Sequence, residues 1–372
     1  MRPLLRRRAW LAAASLPWWV GIGVAADTAS TADSACTGSD ALCPLLDAAG
    51  RDGSNTHAVL VERRGQMLAE AYFTAQDKPS GAWFSREVAF GPDTLHDLRS
   101  ITKSVVGLLA GIAHGRGELG ALDRPMFDYF PEHADLATPE NRKITVEHLL
   151  DMTTGWQWDE WNQPYGTLAN SETRMVLALD RDRHLLGLPL AHPPGTQWEY
   201  SGGASALLGE ILERSTGQPL QAQAAQRLFA PLGITGFDWR TGWRDKSLAF
   251  SGLRLTPRQL ARIGRLMLDG GRWQGASIVP AAWVADSMKP RVRAADGYFY
   301  SRQWWQGPFA RGHGAGVEWT AGFGNGGQRM FIVPSLDMVA VVTAGRYNQP
   351  GNGRASNTLF GAVLDRVRAS PT

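Results

Sequence analysis

The most informative stretch of the chain runs Leu98-Arg99-Ser100-Ile101-Thr102-Lys103-Ser104-Val105-Val106-Gly107-Leu108-Leu109. After Lys103 the residues are mostly apolar or small, and so wide an apolar face is typical of a helix buried in a core. Ser100 stands where this helix is expected to begin, a position that favours serine. Lys103 follows three residues later, so the two side chains share one face of the helix and can touch. The stretch predicts a turn into a core helix, with a serine and a lysine together at its start.

This pairing has a chemical use, because a serine hydroxyl is a weak nucleophile until a neighbouring base takes its proton. A lysine beside Ser100 that is partly removed from water could be neutral at working pH and act as that base. The positive end of the helix would favour negative charge developing at Ser100. The alternative is that Ser100 only caps the helix and Lys103 lies on its rim. Only five of the 38 basic residues are lysines, and an arginine could not lose its proton in this way, which supports the catalytic interpretation.

Two further stretches carry groups that suit the same chemistry. Tyr200 lies in a loop just before a predicted helix, where a phenol can exchange a proton if a nearby cation lowers its pKa. The glycine-rich segment 322–328 runs into a predicted strand, and a free N–H there could complete an oxyanion hole with that of Ser100. Each stretch has a plainer explanation when taken alone, since Tyr200 could pack at a helix entrance and the glycines could form a β-turn.

The first 26 residues are predicted to be a secretory signal peptide, with Arg6-Arg7-Arg8 before an apolar run and Val24-Ala25-Ala26 as a cleavage site. The protein is therefore expected to be exported to the periplasm or secreted, by a Sec or a Tat route. Residues 27–56 are expected to form an N-terminal arm. Cys36 and Cys43 are the two cysteines, and they either form a small disulfide loop or remain free thiols. No later segment is apolar enough to anchor the chain in a membrane.

Charge and composition exclude several classes of function. The net charge is +3, with 38 basic and 35 acidic residues scattered along the chain, so no nucleic-acid surface is predicted. The sequence contains no His-Glu-x-x-His motif and no cysteine–histidine cluster, so neither a metal nor another cofactor is implied. The expected partner is a small molecule, and the oligomeric state is not indicated.

Hydrophobic periodicity predicts strands near both ends of the chain and helices between them. Strands are predicted at 57–62, 67–73, 298–305, 328–333 and 338–343, and helices at 44–50, 100–112, 145–152, 203–215, 221–229, 256–267, 280–288 and 357–368. The expected fold class is α+β: an antiparallel sheet from 57–73 and 298–343, flanked by terminal helices, with a helical lobe inserted at about 95–290. Residues 57–372 would form one domain, and a cleft between sheet and lobe is a common place for an active site.

Together, Ser-x-x-Lys on a core helix, Tyr-Ser-Gly before another helix and a glycine-rich strand entry resemble the serine β-lactamase and penicillin-binding-protein superfamily. The chain is most similar to its class C β-lactamase branch, which includes DD-peptidases, esterases and 6-aminohexanoate-dimer hydrolases. The resemblance runs from about residue 57 to 368. Its supporting stretches are 100–105, 148–155, 194–196, 231–234, 251–257, 326–328 and 333–337.

The resemblance implies a β-lactamase/transpeptidase-like fold and a role for each matching residue. Ser100 would be the acylated nucleophile, with Lys103 and Tyr200 sharing the general acid–base work. The backbone N–H groups of Ser100 and Gln328 would form the oxyanion hole. The implied reaction is acyl transfer to Ser100 followed by hydrolysis of the acyl-enzyme.

The chain departs from the superfamily pattern at two places. Gly202 stands where β-lactam-active members place the Asn of Tyr-x-Asn, and Asn325-Gly326-Gly327 replaces the Lys-Thr-Gly strand. The cation that binds a β-lactam or peptide carboxylate is therefore missing, unless Arg329 or His313 substitutes for it. Both departures favour hydrolysis of a small ester or amide over efficient hydrolysis of β-lactams.

Substrate-binding residues are predicted around these motifs. Trp156 and Tyr165, with Asn325, Gly326 and Gly327, are expected to contact the substrate, although the aromatic residues of this loop could equally belong to the core. A non-catalytic binding or sensor domain of the same fold is an alternative to the enzyme, as is a cell-wall DD-peptidase or weak β-lactamase. The sequence retains Ser100, Lys103 and Tyr200, and this favours the enzyme.

Overall fold

The structure is a computed structural model that describes residues 36–242, 246–309 and 311–369. Its helices are α1 (Cys43–Arg51), α2 (Ile101–Gly115), α3 (Val146–Asp151), α4 (Ser171–Leu177), α5 (Arg181–Leu186), α6 (Gly202–Thr216), α7 (Leu220–Gln223), α8 (Pro257–Leu268), α9 (Ala281–Ser287) and α10 (Arg354–Ala369). Its strands are β1 (Thr37–Gly38), β2 (Thr56–Arg63), β3 (Gln66–Tyr72), β4 (Thr74–Asp77), β5 (Arg86–Ala89), β6 (His96–Asp97), β7 (Asp238–Trp239), β8 (Leu253–Leu255), β9 (Arg272–Trp273), β10 (Ala276–Ser277), β11 (Val292–Arg293), β12 (Phe299–Ser301), β13 (Trp304–Pro308), β14 (Glu318–Gly324), β15 (Gln328–Val333) and β16 (Met338–Ala344).

The main sheet joins the two ends of the chain. Among the described residues it has nine antiparallel strands, in the order β1-β3-β2-β16-β15-β14-β13-β12-β11. β2 pairs with β16 although the whole helical lobe lies between them in sequence. The predicted α+β class, with an antiparallel sheet built from both ends and a helical lobe inserted between them, is confirmed.

Side chains of the central strands point alternately to the two faces of the sheet, and both faces are buried. On β16, Val339 and Val341 join the core shared with α2, α6 and α8, whereas Ala340 and Val342 join a second core under α1 and α10. Successive side chains of a strand point to opposite faces, so a strand that is apolar at every position is covered on both sides. This explains why 338–343 was predicted as a buried strand.

The predicted helices of the lobe begin and end close to their predicted limits because local capping groups fix them, whereas α4 and α5 were not predicted. Thr145 and Thr256 both form capping boxes, with His148 and Gln259 respectively. α2 lies at the centre of the lobe and is buried from Ile101 to Ala113, as its apolar sequence predicts. The helix predicted at 221–229 is α7 continued by a π-helical turn, Ala224–Phe229.

The described part of the predicted N-terminal arm belongs to the fold. β1 pairs with β3, and α1 buries Leu46 and Ala49 against the outer face of the sheet. Cys36 and Cys43 are joined by a disulfide that closes the loop between β1 and α1. The arm prediction was wrong for this part because polar composition hid the short pairing strand. The predicted signal peptide, residues 1–26, lies outside the described residues.

One prediction about the strands near the carboxyl end was also wrong. The strand predicted at 298–305 is two strands, β12 and β13, because Arg302 and Gln303 have positive φ values of 47° and 72° and turn the chain back. The glycine-rich segment 322–328 runs into β15 as predicted, but its first residues end another strand, β14, which was not predicted. In the described part of the chain, no helix is long and apolar enough to cross a membrane.

Candidate active site

Ser100 lies on a tight turn that leads into α2. It is the N-cap of that helix, and Arg99 before it has a φ of 50°, in the left-handed region that residues other than glycine rarely adopt. Asp97 holds this turn, since its carboxylate accepts a hydrogen bond from the Arg99 N–H (3.3 Å) and pairs with the Arg99 guanidinium (3.2 Å). No group in the described residues accepts a hydrogen bond from the Ser100 N–H.

Lys103 meets Ser100 from within the core. Its side chain is buried, and its Nζ donates hydrogen bonds to Ser100 Oγ (3.0 Å) and to the carbonyl oxygen of Phe250 (2.9 Å). Burial alone would lower the pKa of this ammonium group, but interactions with Tyr200 and with two nearby carboxyl groups outweigh burial and raise it. The surroundings of Lys103 therefore favour its ammonium form in the resting protein over the neutral form that the sequence allowed.

Tyr200 completes the group at the start of α2. Its ring is buried, and Lys103 Nζ lies 4.9 Å from the ring centre. Burial raises the pKa of the phenol, and the positive charge of Lys103 and hydrogen bonding with Ser100 and Lys103 only partly oppose this. The structure thus brings together Ser100, Lys103 and Tyr200, three side chains from two separate segments of the chain.

An open cavity of about 760 Å³ lies beside Ser100. Part of its lining is aromatic, with Trp161 4.9 Å and Trp305 5.8 Å from Tyr200 between ring centres and both nearly parallel to it. The lining also contains seven amide side chains: Asn162, Gln163, Asn325, Asn348, Gln349, Asn352 and Asn357. The cavity therefore offers flat apolar surfaces and many neutral hydrogen-bonding groups.

The predicted substrate-binding residues divide into two groups. Tyr165 and Asn325 line this cavity. Trp156 does not, because its side chain is packed in the core of the helical lobe. Gly326 and Gly327 form the turn after β14, where φ values of 94° and 98° require glycine, and they are not part of the cavity lining.

Gln328, the second predicted oxyanion donor, is not among the residues around this cavity. It is fully buried, and its side-chain amide bonds to the backbone N–H and carbonyl of Ala344. Phe323 and Gly324 line the cavity instead. β13 pairs with β14 only as far as Ala321. Among the described strands, none therefore pairs with Phe323 at the edge of β14 that faces β13.

Two carboxyl groups that the sequence analysis did not identify approach the group formed by Ser100, Lys103 and Tyr200. Glu160 and Glu172 both reach Gly202, two residues after Tyr200. Neither glutamate belongs to a recognisable motif, and only the fold brings them together. The one signal in the sequence was the glycine at 202, which left room for side chains from elsewhere.

Arg329 and His313, the two possible substitutes for the missing cation, have different surroundings. Arg329 lines the cavity, and its guanidinium donates to Asn357 Oδ1 (2.7 Å) and to the carbonyl of Gln328 (2.8 Å). Burial lowers its pKa to about 10. His313 is exposed, pairs with Asp365 at 2.7 Å, and is not part of the cavity.

Within the described ranges, no group of three or more histidine, cysteine, aspartate and glutamate residues is placed to hold a metal ion.

An antiparallel sheet with a helical lobe, and a serine paired with a lysine at the start of the core helix, define a class of enzyme, the serine hydrolases of β-lactamase/transpeptidase-like fold. Residues 47–362 match the protein-family model described as Beta-lactamase, so the chain belongs to that family. The resemblance drawn from the sequence is confirmed.

Individual relatives extend this result. The 6-aminohexanoate-dimer hydrolase of Paenarthrobacter ureafaciens is 27% identical over 341 residues, which are 84% of this chain and 78% of that protein. Esterase EstB of Burkholderia gladioli is 34% identical over 198 residues, 51% of this chain and 48% of its own. A solved class C β-lactamase from Rhodobacter sphaeroides has a TM-score of 0.65 at 21% identity, covering 88% of this chain and 100% of that one, and it shows the shared fold.

Proposed function

We propose that the protein forms an acyl-enzyme on Ser100 from a small ester or amide and then hydrolyses it, with Lys103 and Tyr200 as general acid and base. The observation that carries this proposal is the 3.0 Å contact between Lys103 Nζ and Ser100 Oγ at the wall of an open cavity. A serine becomes a useful nucleophile when a group at hydrogen-bond distance can remove its proton.

Acylation begins when Ser100 Oγ attacks the substrate carbonyl carbon and its proton passes to the Lys103–Tyr200 pair, which must first have lost one proton to solvent. The oxygen of the tetrahedral intermediate becomes negative, and we assign the N–H groups of Ser100 and Phe323 to stabilise it. The pair then protonates the leaving alcohol or amine. Water attacks the acyl-enzyme in the same way, its proton passes to the pair, and Ser100 regains a proton as the acid leaves.

The lining of the cavity supports a small ester or amide as the substrate. Trp161 and Trp305 provide flat apolar surfaces for an acyl group, and the amide side chains can hydrogen-bond to a polar end. The names of two relatives agree with this, since one is a hydrolase of 6-aminohexanoate dimer and the other an esterase.

A cell-wall DD-peptidase or weak β-lactamase is the second candidate, and Arg329 is the observation that favours it. This cation lines the cavity and, in the described part of the chain, pairs with no carboxylate. The two candidates differ in their best substrate, so a peptide ending in D-Ala-D-Ala is compared with a nitrophenyl butyrate. We expect the ester to react faster, and faster cleavage of the peptide would overturn our preference.

The first test of the proposal is labelling with a fluorophosphonate probe, followed by intact-mass measurement and peptide mapping. We expect one adduct on Ser100 and none on the Ser100→Ala variant. No adduct on a folded protein would refute the acyl-enzyme and favour the alternative of a non-catalytic binding domain.

We also infer export of the enzyme, with removal of residues 1–26 and a hydrolase domain that covers 57–372 and includes the β1–α1 segment before it. The disulfide between Cys36 and Cys43 supports an oxidising compartment. Amino-terminal sequencing of the protein recovered outside the cytoplasm checks this, and an intact leader on the active protein would contradict it.

A further inference from the structure

Glu160 is a buried carboxylate that connects the cavity to the catalytic group. Its Oε2 accepts hydrogen bonds from the Gly202 N–H (2.7 Å) and from Trp158 Nε1 (3.1 Å), and its Oε1 accepts one from the Tyr165 hydroxyl (3.0 Å). The side chain is 1% exposed. Three donors thus satisfy the acceptor oxygens of one buried carboxyl group.

Glu172 brings a second carboxyl group to the same place. A Cβ built on Gly202 would lie 2.5 Å from Glu172 Oε2 and 3.2 Å from Glu160 Oε2, so both groups converge on this glycine. Their convergence accounts for the absence of a side chain at position 202. Two carboxylates so close together cannot both be charged without a large energetic cost, and one of them keeps its proton. Burial, and then the negative charge of Glu160, raise the pKa of Glu172 well above its usual value, so Glu172 is the protonated partner.

The pair is linked to Lys103 through Tyr200, because Gly202 is two residues after Tyr200 and the Tyr200 ring centre lies 4.9 Å from Lys103 Nζ. The negative charge of Glu160 is among the causes of the raised pKa of that lysine. We propose that Glu160 and Glu172 share one proton, held by Glu172, and that the remaining charge on Glu160 keeps Lys103 in its ammonium form. Glu160 is a positioning residue, because it acts on Ser100 only through Lys103 and Tyr200, whereas Glu172 only holds the proton of the pair. This inference rests on the proposed function and goes beyond it, since it assigns what controls the pH at which Ser100 becomes nucleophilic.

Other titratable and charged groups also face the pair, and the test must separate their contributions. They are Arg99, Lys103, Tyr165, Glu199, Tyr200 and Tyr300. Glu199 is the one most easily confused with the pair, because burial, together with Asp159 and Glu160, raises its pKa to about 7. Glu199→Gln is therefore a necessary control.

The proposal predicts in which direction the pH dependence of Ser100 reactivity shifts in each variant. Ser100 can transfer its proton only after the Lys103–Tyr200 pair has lost one, so reactivity rises with pH. Negative charge on Glu160 opposes that loss and places the rise at a higher pH. Glu160→Gln keeps the shape and an acceptor oxygen but removes the charge, so the rise moves to lower pH. Glu172→Gln exchanges a neutral acid for a neutral amide, so the rise stays where it is.

The experiment measures the second-order rate of fluorophosphonate inactivation of the full chain between pH 5 and 10. We expect a downward shift of about one pH unit or more in Glu160→Gln, which is a tenfold change in rate on the rising limb. Glu172→Gln and Glu199→Gln should follow the wild-type curve. Glu118→Gln, at the far end of α2, controls for the loss of a glutamate as such.

Each other outcome overturns the proposal. Equal shifts in Glu160→Gln and Glu172→Gln would mean that both carboxyls are charged, and a shift in Glu172→Gln alone would reverse the assignment of the proton. No shift in either variant would show that both glutamates have only a structural role. A larger shift in Glu199→Gln would show that Glu199, and not the pair, controls the pH at which labelling rises. Failure of the wild-type protein to label at any pH refutes the proposed function instead.

An infrared difference spectrum keeps the proton assignment testable even if Glu160→Gln fails to fold. At pH 8 the wild-type spectrum minus that of Glu172→Gln should contain the carbonyl stretch of one protonated carboxyl group. The Ser100→Ala protein should retain the band, because the pair does not depend on catalysis. A carboxylate band in its place would show that Glu172 is ionised, which contradicts the proposal.

Discussion

Lys103 is the residue whose chemistry decides whether this site can catalyse hydrolysis. Lys103→Met preserves most of the buried side chain but removes both the donor to Ser100 and the proton acceptor. We expect fluorophosphonate labelling to slow by about 10²- to 10⁴-fold, which is typical for loss of general acid–base catalysis. Lys246→Met, which removes a lysine paired with Glu213 instead, should label at the wild-type rate. Labelling of Lys103→Met within threefold of wild type would exclude Lys103 from proton transfer.

For individual residues, the sequence predicted contacts between side chains that lie close together along the chain. Ser100 and Lys103 are neighbours on one helix, so their contact follows from helical geometry. Tyr200 required a resemblance to known proteins, because nothing local brings it to Ser100. The protonation of Lys103 could not be predicted, since it depends on groups such as Glu160, whose approach only the folded chain produces.

Among the elements of secondary structure, β14 was the one whose absence from the prediction mattered most. Along β14, the outer-face residues Trp319, Ala321 and Phe323 alternate with residues that point to the other face. Those residues are Thr320, Gly322 and Gly324, so that face of β14 has no large apolar side chain. The glycines are needed because α2 approaches closely. A Cβ on Gly324 would lie 2.3 Å from the carbonyl oxygen of Leu98, two residues before Ser100. A strand that packs its backbone against a helix start lacks the periodicity by which strands are found.

The same contact makes a prediction about the position of β14. Gly324→Ala places a methyl group against the Leu98 carbonyl, so β14 must move away from the turn that carries Ser100. We expect a loss of about 1–3 kcal/mol in the free energy of unfolding, as for other overpacked sites, and at least about a tenfold fall in labelling rate. The control is Gly236→Ala, at a glycine with open space around it. Normal labelling by a destabilised Gly324→Ala protein would show that β14 does not contribute to the site.

For the whole molecule, the order of strands and helices along the chain was sufficient to predict the architecture. Strands that are apolar at every position, such as β16, need helices on both faces, and the chain supplies α8 for one face and α1 and α10 for the other. What composition could not predict is the burial of polar groups between these layers. His57 at the start of β2 and His96 on β6 are both buried, and both rings stack on Phe90, with ring centres 4.0 and 4.7 Å from it and 5.7 Å from each other.

These two histidines make the stability of the whole fold depend on pH. Burial lowers the pKa of His57 from 6.5 to about 4, although Asp77 opposes this, and burial lowers that of His96 as well. The unfolded chain therefore binds protons that the folded chain does not. The contribution of His57 is complete above pH 6.5 and is lost as the pH falls towards 4.

Urea unfolding at pH 7.5 and at pH 5 measures this contribution. We expect the free energy of unfolding of the wild-type protein to fall by about 2 kcal/mol more than that of His57→Gln, which cannot take up the proton. His192→Gln, at an exposed histidine, should behave as the wild type does. If His57→Gln loses as much stability as the wild type over this range, the neutral His57 is not what makes the fold sensitive to acid, and His96 would have to account for any sensitivity that remains.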